Sequence, residues 1–175
     1  MTEAQPKILI ASDALRQRVA ELAQQISADY EGRDLTIVCT LGGAVVFFAD
    51  LVRQLTIPAR HVYMGFSAYG GGGGKSGEAR VYLDVAEPLE GRHVLVLDGT
   101  VISGRTPHYI LELLQRRQPA SLKFCTLLLK RGSLRAPLPL DYVGFEVPDE
   151  GFAVGYGMGQ DPAHRWLPYI GTVSA

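Results

Sequence analysis

Residues His93 to Ile110, HVLVLDGTVISGRTPHYI, run from an apolar stretch through a short polar turn into a segment with helical spacing. The turn brings together Ser103, Gly104, Arg105 and Thr106: two hydroxyls, a cation and a glycine. A strand, a tight turn and a helix N-terminus present free backbone N–H groups and the positive end of a dipole to an anion. The chemistry this suits is phosphate binding. An ordinary strand-to-helix connection capped by Ser103 would read the same way. What the segment lacks is acid. Asp98 is its one carboxylate, and Gly99, Thr100, Val101 and Ile102 follow where a reaction centre would need proton acceptors.

The elements around this turn follow from periodicity. Ser12 is read as the N-cap of a helix from Asp13 to about Ala28, with Leu15, Val19, Leu22 and Ile26 as its apolar stripe and Gly32 as its stop. Strands are expected at Leu35 to Thr40, Arg60 to Phe66, Arg80 to Val85, His93 to Leu97 and Leu122 to Leu129. Shorter ones are expected near Tyr142 to Glu146 and Phe152 to Tyr156. Helices are expected at Ala44 to Gln54 and at Thr106 to Arg117, the latter with Tyr109, Ile110, Leu113 and Leu114 inward. Strands alternating with helices predict an α/β fold with a mostly parallel sheet covered on both faces. In such a sheet, ligands bind beyond the carboxyl ends of the strands, where the Ser103 turn must lie. No internal repeat or linker divides the 175 residues, so one domain is expected.

Bulk composition narrows the function classes. A formal net charge of −1 and a pI near 6.4 give no basic field for a nucleic-acid backbone. The longest uncharged apolar stretch, Thr36 to Ala49, is too short to span a membrane, and the N-terminus has no signal-peptide pattern. Cys39 and Cys125 each sit in an apolar run, as buried free thiols do in a reducing compartment. A cytoplasmic protein without nucleic-acid or membrane partners is expected.

VLVLDGTVISGRT resembles the phosphoribosyl-diphosphate loop of the type I phosphoribosyltransferases. LGGAVVFFADLVR, FSAYG with KSGEARV, LLLKRG, and DYVGFEVPDEGFAVGYG with RWLPYIG resemble, in order, the successive motifs of the hypoxanthine-guanine phosphoribosyltransferases. The likeness runs from about Ser12 to Gly171. It implies the type I fold with a small hood over the site, magnesium as cofactor, and a homodimer or homotetramer. The reaction it implies moves a 5-phosphoribosyl group from its diphosphate to N9 of hypoxanthine or guanine. By resemblance Thr100, Ser103, Gly104, Arg105 and Thr106 hold the 5′-phosphate, and Asp98 and Gly99 lie at the ribose. Lys130 reads the purine 6-oxo group, Phe152 stacks on the base, and Ala153 presents backbone to the purine edge. Leu41, Gly42, Gly43 and Arg165 lie at the pyrophosphate, and Ser67, Ala68 and Tyr69 open a glycine-rich lid over residues 67–79. Taken alone, Lys130 also reads as a solvated strand-end lysine, Phe152 as a core aromatic, and the glycines as a slack hairpin tip.

The departures from the family pattern concentrate at the chemistry. The family has two adjacent acids at the ribose, whereas this chain has Asp98-Gly99. Its general-base aspartate aligns with Ile102, a magnesium-binding aspartate with Gly159, and a pyrophosphate-loop lysine with Gly42. Asp98 or a displaced Asp161 could still meet the metal, and Lys75 of the lid the pyrophosphate. The loop is expected to accept aspartate at 99 and 102 if the missing acids are put back. Three functions follow: a nucleotide-binding homologue with little or no transferase activity, a working purine-salvage transferase with relocated groups, and an RNA-binding regulator, which the charge disfavours.

Overall fold

The structure, a computed structural model, describes residues 6–67 and 80–173. In chain order these form β1 (Lys7–Ile10), α1 (Ser12–Asp29), β2 (Leu35–Leu41), α2 (Val45–Val52), β3 (Ala59–Ser67), β4 (Arg80–Leu83), β5 (His93–Val101), α3 (Arg105–Gln115), β6 (Ser121–Leu129), β7 (Tyr142–Glu146), β8 (Phe152–Val154), α4 (Pro162–Arg165) and β9 (Ile170–Val173). The main sheet has the order β4-β3-β2-β5-β6-β7. Its pairs are parallel except β3–β4. A second sheet, β1-β9-β8, is antiparallel and forms the hood.

The continuous apolar runs of β2, β5 and β6 follow from burial on both faces. Ile37, Cys39, Leu95, Leu97 and Leu127 pack under α1 and α2 with Leu15, Val19, Leu22 and Phe47. Val38, Val94, Val96 and Phe124 face the other way, against Ile110 and Leu114 of α3. Ile110 and Leu114 are fully buried, and each contributes about 1.5–3 kcal/mol. Their burial holds α3 with its N-terminus at the carboxyl end of β5. Both cysteines are buried and free. Burial pushes the Cys39 thiol up to about 12 and the Cys125 thiol higher still.

Several boundaries move from their sequence-based positions. Ala11 rather than Ser12 is the N-cap of α1; its side chain makes no cap, and its carbonyl accepts from Leu15 N–H at 3.0 Å. Helix α2 ends at Val52. Tyr109 is not inward. Pro107, Ile110 and Leu114 form the buried stripe of α3, and Tyr109 meets Phe66 edge-on at 6.3 Å between ring centroids. Strand β5 continues four residues past Leu97, because Asp98, Thr100 and Val101 pair with Thr126, Leu128 and Leu129 of β6. Asp98, Gly99 and Thr100 are therefore strand residues, and the turn proper starts at Ile102.

Candidate functional site

Two adjoining clefts open at the carboxyl ends of β2, β5 and β6. The larger, about 640 Å³, is lined by Lys130 from the end of β6, by Phe152, Ala153 and Val154 of β8, and by the segment from Met158 to Asp161 with His164 and Arg165. The smaller, about 450 Å³, is lined by Ser103, Gly104, Arg105 and Thr106 at the head of α3, with Thr40, Leu41 and Arg135. Asp98, Thr100 and Ile102 line both. A ligand with an anionic end and a flat end could therefore lie across β5.

The anionic end has the expected turn, built differently at the cap. Gly104 is the N-cap of α3 with φ +78°, a left-handed conformation that glycine adopts without strain. Its side of the turn abuts Leu134, and its carbonyl accepts from His108 N–H at 3.0 Å. Ser103 is not the cap: its Oγ lies 3.5 Å from Arg105 N, and no side chain caps α3. The orphan N–H groups of the first turn remain available to an anion. His108 is not among the residues lining this cleft.

The flat end combines an aromatic wall, Phe152, and the buried Lys130 with polar neighbours that include Gln160, His164 and Arg165. Phe152 is 57% exposed and forms a wall of the cleft, as a stacking face requires and a core aromatic would not. Lys130 is buried. Its Nζ donates to the carbonyls of Asp149 at 3.0 Å and Gly151 at 2.5 Å. An ammonium has three donors, so these two bonds fix its direction and leave one N–H for a ligand. Met158, whose Sδ accepts from Thr100 Oγ1 at 3.1 Å, and His164 also line the cleft. Neither had a sequence signal beyond an irregular glycine-rich stretch.

The groups expected at pyrophosphate are divided. Leu41 lines the smaller cleft, Gly43 the larger, and Gly42 neither. The Leu41–Gly42 peptide is cis. Arg165 lines the larger cleft, with Nε donating to the Gly159 carbonyl at 2.7 Å. Ser67 is the last residue of β3. Ala68, Tyr69, Lys75 and the rest of the expected lid lie outside the described residues.

Among the described residues, Asp98 and Asp161 are the carboxylates that line the two clefts. Asp98 Oδ1 accepts from Thr40 Oγ1 at 2.6 Å and from Gly99 N–H at 2.9 Å. Burial raises its carboxyl above the usual carboxylate range, and those two hydrogen bonds oppose the rise. Asp161 caps α4, accepting from Ala163 N–H at 2.8 Å. Ile102 is 45% exposed, an apolar surface between the clefts.

The described residues do not build a magnesium site by themselves. Among the described residues, no group of three or more His, Cys, Asp or Glu side chains could hold a metal ion. Gly159, at the resembling ligand position, has φ +105° and faces the Val154 side chain, so a side chain there would be strained. The expected tolerance of Gly99 to aspartate is also overturned. A Cβ on Gly99 would lie 2.9 Å from the Gly43 carbonyl oxygen and 3.0 Å from its carbon. The obstacle is backbone, not φ.

The raised carboxyl of Asp98 has a thermodynamic consequence. A carboxyl whose folded value exceeds its unfolded value costs stability as pH rises through that interval, because the folded state holds the proton longer. Asp98→Asn keeps an acceptor for Thr40 and Gly99 and removes the charge from this half-buried position. The variant is expected to melt a few degrees higher near pH 7.5. The gain shrinks towards zero below about pH 4, where the unfolded carboxyl also carries its proton. Melting curves of both proteins across this range check it; a variant less stable at neutral pH would contradict it.

Known proteins match this arrangement. Residues 8–161 match the family described as phosphoribosyl transferase domain. The chain is 38% identical to the hypoxanthine-guanine phosphoribosyltransferase of Mycobacterium tuberculosis over 172 residues, covering 95% of this chain and 85% of that protein. It is 38% identical to the hypoxanthine phosphoribosyltransferase of Haemophilus influenzae, covering 95% and 94%. It is 39% identical to the bifunctional protein TilS/HprT of Listeria innocua over 95% of this chain, but spans only 26% of that longer protein. A crystal structure of a hypoxanthine-guanine phosphoribosyltransferase from Bacillus anthracis superposes with a TM-score of 0.87 at 34% identity, covering 97% of this chain and 98% of that one. Fold, clefts and kinship agree: the chain belongs to the hypoxanthine-guanine branch of the phosphoribosyltransferase family.

Proposed function

We propose that this protein binds a purine 5′-nucleotide or phosphoribosyl diphosphate across the two clefts, and that its transferase activity is low or absent. The observation that carries the proposal is Ile102. It stands between a phosphate turn and a base pocket that both keep their residues, at the position where the family has its proton acceptor. An isoleucine accepts no proton at any pH. Asp98 alone remains to meet the ribose hydroxyls, with one oxygen already engaged by Thr40 and Gly99.

The parts act in a definite order of dependence. The head of α3 takes the 5′-phosphate, Asp98 the ribose, Phe152 the face of the base, and Lys130 its oxo edge. Magnesium, where the family uses it, would neutralise the diphosphate. Proton transfer by a positioned side chain is worth about 10²–10⁴ in rate. Loss of that group, a ribose acid and the pyrophosphate-loop lysine thins the transfer machinery, while the contacts to phosphate and base are spared.

Base selectivity tests the pocket without relying on activity. Lys130 has one N–H left, and the purine 6-oxo group accepts it, whereas the amino group of AMP turns donors towards a donor. IMP and GMP are expected to bind more tightly than AMP by about 1–3 kcal/mol. Calorimetric titration without magnesium reads this. Equal affinity for IMP and AMP would show that Lys130 does not read the base, and no binding of IMP at millimolar concentration would sink the retained pocket.

A working transferase is the second reading. It is favoured by the relatives named as transferases that match 95% of the chain. It would require Asp98 to serve both ribose and proton, since Asp161 is held in a helix cap.

A further inference from the structure

The smaller cleft holds a cation that no motif marks. Arg135 lies in the irregular stretch GSLRAPLPL after β6, where neither periodicity nor resemblance assigns it a role. Its backbone N–H donates to the Ser103 carbonyl at 3.2 Å, which ties this stretch to the phosphate turn. A Cβ placed on Gly104 would lie 3.3 Å from Leu134 Cδ2 and 3.9 Å from Leu138 Cδ2, so the same stretch packs down on the turn from both sides of Arg135. Arg135 itself is exposed and lines the cleft together with Thr106 and Pro107 of α3.

Arg135 differs from its paired neighbours. Arg131, four residues earlier, is paired with Glu146, and Arg117 with Asp84 at 2.5 Å. Among the described residues Arg135 makes no ion pair, and neither does Arg105, the other cation of the cleft. Among the described residues the cleft therefore holds two guanidinium groups without an ion pair and one carboxyl, Asp98, beside the orphan N–H groups of an eleven-residue helix. A guanidinium matches a phosphate with two parallel N–H donors.

We propose that Arg135 is a ligand of the 5′-phosphate, carried to the anion site by the stretch that packs on the turn before α3. This rests on the proposed nucleotide-binding reading and deepens it. The phosphate end of the site is then reinforced as well as retained, while the centre is stripped of acids. Arg135 contributes to holding a finished nucleotide, through contacts that the base and ribose do not share.

Parallel titrations of the full chain with IMP, ribose 5-phosphate and inosine test the proposal, for the native protein, Arg135→Ala and Arg135→Lys. Arg135→Ala is expected to weaken IMP and ribose 5-phosphate by at least tenfold and to leave inosine unchanged. Arg135→Lys is expected to fall between, because an ammonium keeps the charge and loses the paired donors. The dependence of IMP affinity on salt is expected to become shallower in Arg135→Ala. Unchanged IMP affinity, or a parallel loss of inosine that marks a disturbed turn, overturns the role of Arg135 and leaves the nucleotide-binding reading standing. A native protein that binds none of the three overturns both.

Discussion

Ile102→Asp combined with Gly42→Lys is expected to raise the rate of nucleotide formation from hypoxanthine and phosphoribosyl diphosphate by about 10² or more, within the range assigned to a positioned proton acceptor. Ile102 is an accessible position: it is half exposed, it lines both clefts, and a shorter polar side chain there removes no core contact. Gly42 is equally permissive, since a Cβ placed there meets nothing within 4 Å. Either change alone is expected to do little, because a base cannot help a diphosphate that is badly held, and a cation cannot replace a base. The coupling is the informative part: groups that act as a unit give a double variant more active than the singles imply. Initial rates of the four proteins, at saturating substrates with magnesium, measure it. A folded double variant that binds IMP and forms no more product than the native chain would show that these two groups are not the obstacle.

Gly99→Asp is expected to do the opposite, lowering stability by about 3 kcal/mol through overpacking and a buried charge. The family's second ribose acid cannot be put back here without moving the Gly43–Ala44 backbone, which a new Cβ would meet at 2.9 to 3.3 Å. For a chain of this size the loss corresponds to a fall in melting temperature of roughly 6–12 °C. Gly99→Ala isolates the steric part, and is expected to retain most of the penalty because the conflict begins at Cβ. A Gly99→Asp protein that melts within a degree or two of the native one would mean that the Gly43 segment yields easily. The contrast with Ile102 matters for the account. The open surface at Ile102 can take a carboxylate, whereas the neighbouring loop leaves no room for one at Gly99.

The layered fold and the phosphate turn were legible because they depend on local signals: apolar runs for buried strands, a 3.6-residue stripe for α1, and a hydroxyl-bearing glycine turn before α3. What escaped depends on pairing between distant segments. Strands β1 and β9 carry weak local signals and exist through each other, with Lys7 beside Thr172 and Ile10 beside Ile170. Strand β5 reads from sequence as ending at Leu97, since the aspartate and glycine that follow are poor strand residues; β6 carries it on to Val101. Tyr109 was assigned inward on apolar character alone, whereas the buried stripe begins at Pro107.

Site residues divide in the same way. Lys130, Phe152 and Ala153 were placed by resemblance, and the larger cleft brings them together. The two carbonyls that aim Lys130 could not be read from sequence, because they depend on how the loop from Asp149 to Gly151 folds over β6. Arg135 had no signal at all. Its place follows from the packing of Leu134 and Leu138 beside Gly104.

The central claim is that the nucleotide site outlived the transfer chemistry, and one sample tests it. IMP binding is measured by calorimetry, and formation of IMP from hypoxanthine and phosphoribosyl diphosphate is followed with magnesium present. The account predicts saturable IMP binding with product formation at least about 10²-fold slower than the roughly 10 s⁻¹ typical of enzymes. Turnover at that typical rate by the native chain, with Ile102 in place, would contradict it.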